Sequence, residues 1–188
     1  MSMNSQEVQP NARPAPFDAA RLDRLLDDAG IEILIVTSKH NVQYLLGGYR
    51  FIFFDYMDAF GVSRYLPIFI YCKGSLENCA YFAHRLEVFE KELGRFWPAV
   101  VETRSNGTTD AMRLALAHIK RIGGPVRRVG IEAAFLPVDA HTVLKNGLAD
   151  VEIVDGYFPL SACACTSRAL SLTCCVSHPS AWHSPCSQ

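Results

Sequence analysis

Ile31-Glu32-Ile33-Leu34-Ile35-Val36-Thr37-Ser38-Lys39-His40-Asn41-Val42-Gln43-Tyr44-Leu45-Leu46-Gly47-Gly48 places a strand directly before a short helix, and this pairing decides the fold class. Ile31 to Val36 is a short apolar run rich in β-branched residues, the signature of a buried strand. Ser38 carries a hydroxyl suited to capping a helix start, and Asn41 to Leu46 follows as a brief helix stopped by Gly47-Gly48. Upstream, Asp18 is a good N-cap for a first helix, with Phe17 placed to staple onto Leu22. Leu22, Leu25, Leu26 and Ala29 recur at helical spacing, and Gly30 supplies the stop.

The same alternation continues downstream. Tyr49 to Arg64 is aromatic and irregular. Leu66 to Cys72 reads as a strand whose Pro67 marks an edge or a strand start, Lys73-Gly74-Ser75 as a turn, and Cys79 to Ala83 as the hairpin partner. Val88 to Phe96 is expected to be helical and Val100 to Thr103 extended. Met112, Ala115, Leu116, Ile119 and Ile122 form the apolar stripe of a longer helix ended by Gly123-Gly124-Pro125. Arg128 to Glu132 is a strand, Pro137 suits the first turn of a helix reaching Leu144, and Asp150 to Val154 is the last strand. Strands alternating with helices, plus one hairpin, give an α/β domain with a mixed sheet.

Bulk properties narrow the function. The 188 residues fit one domain, with 49% hydrophobic and 20% charged residues and a formal charge of −1. Basic residues are scattered, so no nucleic-acid partner is expected. There is no apolar run of about 18 residues and no apolar leader segment, so the sequence predicts neither a membrane partner nor secretion, and cytoplasmic placement is the default. Residues 1–16 read as a disordered arm and 17–160 as the globular domain. Residues 161–188 change character, with five cysteines, seven serines and a single charge, Arg168.

Two segments carry a family resemblance. Val36-Thr37-Ser38 followed by Asn41-Val42-Gln43-Tyr44-Leu45-Leu46-Gly47-Gly48-Tyr49 resembles a strand, turn and Tyr-Leu-x-Gly pattern of the creatinase, prolidase and aminopeptidase P family. Gly130-Ile131-Glu132-Ala133-Ala134-Phe135-Leu136-Pro137-Val138-Asp139-Ala140 resembles that family's Gly-x-Glu strand-to-helix passage, and Arg21 to Val36 its opening. Lys39-His40 departs from the family, which often has Pro-Glu there. The resemblance covers residues 17–160 and is to the non-catalytic N-terminal domain. It implies a three-layer α/β domain with a mixed sheet flanked by helices, built on a ribonuclease H-like motif.

The resemblance also implies what surrounds such a domain. In the family a C-terminal catalytic domain, missing from this chain, holds two divalent metal ions (Mn, Co or Zn) through two Asp, one His and two Glu, and the pair activates a bridging water. The N-terminal domain packs beside it and, across a homodimer, walls the neighbour's substrate entrance. This fragment is therefore expected to hold no cofactor and to be inactive alone. Tyr49, Asp55, Tyr56 and Arg64 are the entrance candidates, because relatives use an aromatic and an arginine from this stretch to grip a carboxylate. The alternative is that these aromatics are core and Arg64 caps a strand. His84 and Arg85 join the candidates because they follow a strand, where loops tend to reach a site; the alternative is a structural salt bridge.

Other features read more plainly. Family members continue past the last strand into a charged linker, whereas Leu160 is followed by Ser161-Ala162-Cys163-Ala164-Cys165. With GC-rich codons, the same bases read one nucleotide earlier give Glu-Arg-Leu-Arg. Residues 161–188 are accordingly expected to be a frameshifted, non-native and disordered tail, a reading that sequencing of the encoding DNA tests. Cys163, Cys165, Cys174, Cys175, His178, His183 and Cys186 lack zinc-knuckle spacing and read as incidental thiols. His118 and His141 are expected at surface or boundary positions, and Asn106-Gly107-Thr108 is a turn despite matching a glycosylation sequon. Two rival functions stand beside the accessory-domain reading: a stand-alone α/β binding or dimerisation module, and a small α/β enzyme using His84 or the tail cysteines.

Overall fold

The computed structural model describes residues 14–52 and 65–172. Helix α1 (Ala19–Asp28) starts where Asp18 Oδ1 accepts the Arg21 N–H at 2.9 Å. It ends in a left-handed turn at Gly30 (φ 66°), where the Gly30 N–H donates to Asp27 O and the Ile31 N–H to Leu26 O. Strand β1 (Ile33–Val36) and helix α2 (Lys39–Leu45) follow, α2 capped by Ser38, whose Oγ accepts the Asn41 N–H at 3.3 Å. Gly47 and Gly48, both at positive φ, end α2 with the same paired bonds, the Gly48 N–H to Gln43 O and the Gly47 N–H to Tyr44 O.

Strands β2 (Ile68–Cys72) and β3 (Ala80–His84) form the expected antiparallel hairpin, with Pro67 just before β2. A 3-10 turn at Arg85–Glu87 leads into α3 (Val88–Glu92). That helix stops well short of Phe96, because Gly94 adopts φ 64° and reverses the chain. Then come β4 (Val100–Ser105), α4 (Thr108–Ile122), β5 (Arg128–Ile131), α5 (Val138–Gly147) and β6 (Glu152–Asp155). Pro137 sits at the N-cap of α5, one position before the expected first turn.

The six strands make one mixed sheet in the order β4-β3-β2-β1-β5-β6. The β1–β2 and β2–β3 pairs are antiparallel, while β3–β4, β1–β5 and β5–β6 are parallel. Alternate residues of each strand serve opposite faces. Ile33, Ile35, Ile68, Ile70, Ala80 and Phe82 pack under Met112, Ala115 and Ile119 of α4 and Leu144 of α5. Leu34, Val36, Phe69, Tyr71 and Tyr81 pack under Leu22 and Leu26 of α1 and Val42 and Leu45 of α2. Helices on both faces explain why the central strands read as unbroken apolar runs. The molecule is the three-layer α/β domain that the sequence predicts.

The first part of the tail departs from expectation, and residues 173–188 lie outside the described residues. Instead of disorder from residue 161, a helix α6 (Tyr157–Leu172) crosses that boundary. Leu160 and Cys163 are fully buried in the α1–α2 face, and Cys163 Sγ lies 3.7 Å from Asp18 O. The stretch packs because its small and apolar residues need no charge to seat against α1. His118 is also corrected, from a surface or boundary position to a buried one. On α4, its Nε2 lies 2.8 Å from Asn78 O and its ring lies against Phe82, while Arg121 Nη2 donates to Nδ1 at 2.9 Å. His141 of α5 is half-buried, in keeping with a boundary position.

Candidate functional site

Two buried carboxylates organise one end of the sheet. Glu132 follows β5 directly and is fully buried. Its Oε2 accepts the N–H groups of Thr37 and Ser38, each at 2.6 Å, and its Oε1 accepts Ser38 Oγ at 2.8 Å and Asn41 Nδ2 at 2.5 Å. The two sequence segments that carry the family resemblance therefore meet at a single acid. With four donors spent on it, Glu132 ties β5 to the β1–α2 turn and has no lone pair facing solvent chemistry.

Glu87 is the second acid, fully buried at the end of the 3-10 turn after β3. Tyr49 Oη donates to its Oε2 at 3.0 Å and Tyr81 Oη to the same oxygen at 2.9 Å. Tyr65 Oη and the His84 N–H donate to Oε1, both at 2.9 Å. Burial pushes the Glu87 carboxyl above its ordinary range and outweighs these four donors, which pull it down. The same burial, reinforced by the acid, pushes the phenols of Tyr49, Tyr65 and Tyr81 upward, so each stays a proton donor.

His84 caps the 3-10 turn. Its Nδ1 accepts the Leu86 N–H at 3.3 Å, which puts the proton of the neutral ring on Nε2. Partial burial, with Arg85 alongside, lowers its pKa below the ordinary imidazole value. Together with Glu87 it forms a reciprocal capping box. Arg85 is exposed on the rim. Of the six candidates, the structure thus brings Tyr49 and His84 into one hydrogen-bonded group with Arg85 beside it. Asp55, Tyr56 and Arg64 lie outside the described residues. Glu87, Tyr65 and Tyr81 escaped the sequence reading, although the His84-Arg85-Leu86-Glu87 spacing is that of a capping box and would have pointed to Glu87.

This group has the geometry of a clamp. Tyr49 and Tyr65 bracket the segment between them, and one carboxylate fixes both brackets to the end of β3. Tyr49 also stacks edge-on against Phe96, with ring centroids 4.8 Å apart. Among the described residues no set of three or more His, Cys, Asp or Glu side chains is placed to hold a metal ion. The two buried acids, both saturated with protein donors, do not fit a dinuclear centre. Cys72 and Cys79 lie on opposite faces of the sheet, their thiols pushed up to about 12 by burial, which leaves them inert as nucleophiles. Among the described residues no helix is long and apolar enough to cross a membrane.

Comparison with known proteins agrees with this geometry. Residues 19–157 match the model of the Creatinase/Prolidase N-terminal domain, and the chain belongs to that family. Prolidase from Thermococcus sibiricus superposes with a TM-score of 0.54 at 19% identity, over 82% of this chain and 35% of that one. The Creatinase/Prolidase N-terminal domain of an X-Pro dipeptidase from Streptococcus pyogenes gives 0.52 at 15% identity, over 77% of this chain and 99% of that one. A proline dipeptidase structure from Streptococcus pneumoniae gives 0.51 at 15%, covering 84% and 98%. The chain spans about a third of the length of the Thermococcus prolidase. No curated protein matches the chain significantly.

Proposed function

We propose that this chain acts as the non-catalytic N-terminal domain of an Xaa-Pro aminopeptidase- or dipeptidase-like metallohydrolase, contributing to oligomerisation and to the substrate entrance. Chemistry would belong to a companion catalytic domain carrying two divalent metal ions, in a cytoplasmic homodimer. The observation that carries this reading is the family match over residues 19–157, joined to a clamp that uses its acid for positioning. Tyr49, Asp55, Tyr56, Arg64, His84 and Arg85 are the proposed entrance residues. Arg85 and Arg64 are cations suited to a peptide carboxylate, and the aromatics are suited to a prolyl ring.

The purified chain, assayed with manganese on an Xaa-Pro dipeptide, is expected to give no hydrolysis. Turnover abolished by a chelator would overturn the proposal. The rival stand-alone module draws on one observation, the exposed ridge of Leu86, Val88, Phe89 and Leu93 along the 3-10 turn and α3, where Phe89 is 62% exposed. A tight dimer of the isolated chain on size-exclusion chromatography, broken by Phe89→Asp, would favour that module.

A further inference from the structure

β6 forms one edge of the sheet. Its Glu152 N–H donates to Arg127 O at 2.9 Å and the Gly156 N–H to Ile131 O at 2.7 Å. Glu152, Val154 and Gly156 therefore turn their backbone polar groups toward β5. Ile153 and Asp155, between them, turn theirs outward, where they meet no hydrogen-bond partner among the described residues.

Helix α5 runs beside this edge, and between the two lies an open cleft of ≈ 390 Å³. Ile131, Val151 and Ile153 supply an apolar floor and Leu148 a wall. His141 and Lys145, one turn apart on α5, stand on the rim, and neither side chain has a hydrogen bond or ion pair among the described residues. Asp155 also lines the cleft, but its Oδ1 already accepts the Tyr157 N–H at 3.0 Å. Glu152 is neutralised by a two-pronged contact with Arg128, at 2.8 and 3.0 Å.

We propose that the cleft between α5 and β6 binds an extended peptide, laid along β6 as an added strand. Outward backbone groups, an apolar floor and the Lys145 ammonium on the rim are what such a segment requires. Its main chain pairs with Ile153 and Asp155, one inward side chain sits on Ile131 and Ile153, and a carboxylate meets His141 and Lys145. A second copy of the chain is the poorer occupant, because edge-to-edge pairing would set one Lys145 against another, and its own edge carboxylates, Glu152 and Asp155, are already engaged by Arg128 and the Tyr157 N–H. The proposal stands apart from the hydrolase reading and survives its failure.

The probe is a fluorescein-labelled hexapeptide of alternating valine and glutamate, followed by fluorescence anisotropy. Saturable binding is expected, with the backbone amide signals of Ile153 and Asp155 shifting in NMR spectra of the labelled chain. Replacing each glutamate of the peptide by lysine abolishes binding. Lys145→Glu, at an exposed site, weakens it by about tenfold. Ile153→Pro removes an outward N–H that the sheet does not use, and it weakens binding as well. Unchanged binding in Lys145→Glu, or no saturation by about millimolar peptide, would overturn the proposal. So would a peptide-free dimer that itself shifts the Ile153 amide. If Ile153→Pro fails to fold, Lys145→Glu and the lysine peptide still decide.

Discussion

Replacing Glu132 by alanine removes the acceptor shared by two backbone N–H groups, a hydroxyl and an amide. Those donors stay buried without water, so Glu132→Ala is expected to lower stability by about 3 kcal/mol. Glu132→Gln keeps one oxygen and loses less. Urea denaturation followed by circular dichroism checks the order, and equal stability of alanine and wild type would contradict it. Glu87 makes a different prediction, one of pH. Its carboxyl is raised in the fold, chiefly by burial, above the ordinary value of 4.5, so folding favours the protonated acid. That contribution is complete below the ordinary value and is lost as pH climbs through the folded one. Glu87→Gln should therefore flatten the part of the stability profile that declines above pH 4.5, read from urea midpoints at a series of pH values. Glu132 was not legible as an anchor, whereas the capping-box spacing from His84 carries a local signal for Glu87. Glu132 lies 91 residues or more from each of its donors in sequence, and nothing local announces a contact of that separation.

Local elements were readable because their signals are local. Asp18 and Ser38 cap α1 and α2 as their side-chain chemistry dictates, and Gly30 and Gly47 end them. The order of strands was not readable, because the parallel β1–β5 and β3–β4 pairs rest on contacts that no turn residue specifies. The burial of His118 was equally invisible, since it depends on where the hairpin turn at Asn78 comes to rest against α4. That contact carries a prediction. Burial first, with Arg121 adding to it, lowers the His118 pKa below the ordinary 6.5, so the neutral ring is the folded form. Its contribution is present above 6.5 and is lost as pH falls through the folded value; partly buried His84 adds in the same direction. His118→Gln should reduce the loss of stability between pH 7 and 5 by removing the helix–hairpin share of it. Thermal unfolding across that range provides the measurement, and an unchanged acid slope in the variant would show that the ring titrates as freely as in the unfolded chain.

At the scale of the whole molecule, the question is where the domain ends. Composition placed a boundary at residue 160, where charges vanish and cysteines accumulate, but packing ignores that boundary. The second face of the sheet needs cover beyond α1 and α2, and α6 provides it with Leu160 and Cys163, both at 0% exposure. The sequence from Tyr157 to Leu172 has no clear helical alternation of apolar and polar residues, which is why the sequence reading missed the helix. The reading-frame proposal concerns the DNA and is tested there; the packing of α6 is a separate physical matter. Leu160→Ala should lower stability by about 2–4 kcal/mol, the ordinary result of truncating a fully buried leucine. A chain ending at Gly156 should lose more, because Leu22, Leu26 and Val42 of the same cluster would gain solvent. Both follow from urea midpoints at constant slope. If the chain ending at Gly156 unfolds at the same urea concentration as the full one, α6 contributes nothing and the domain closes with β6, as the composition alone implied.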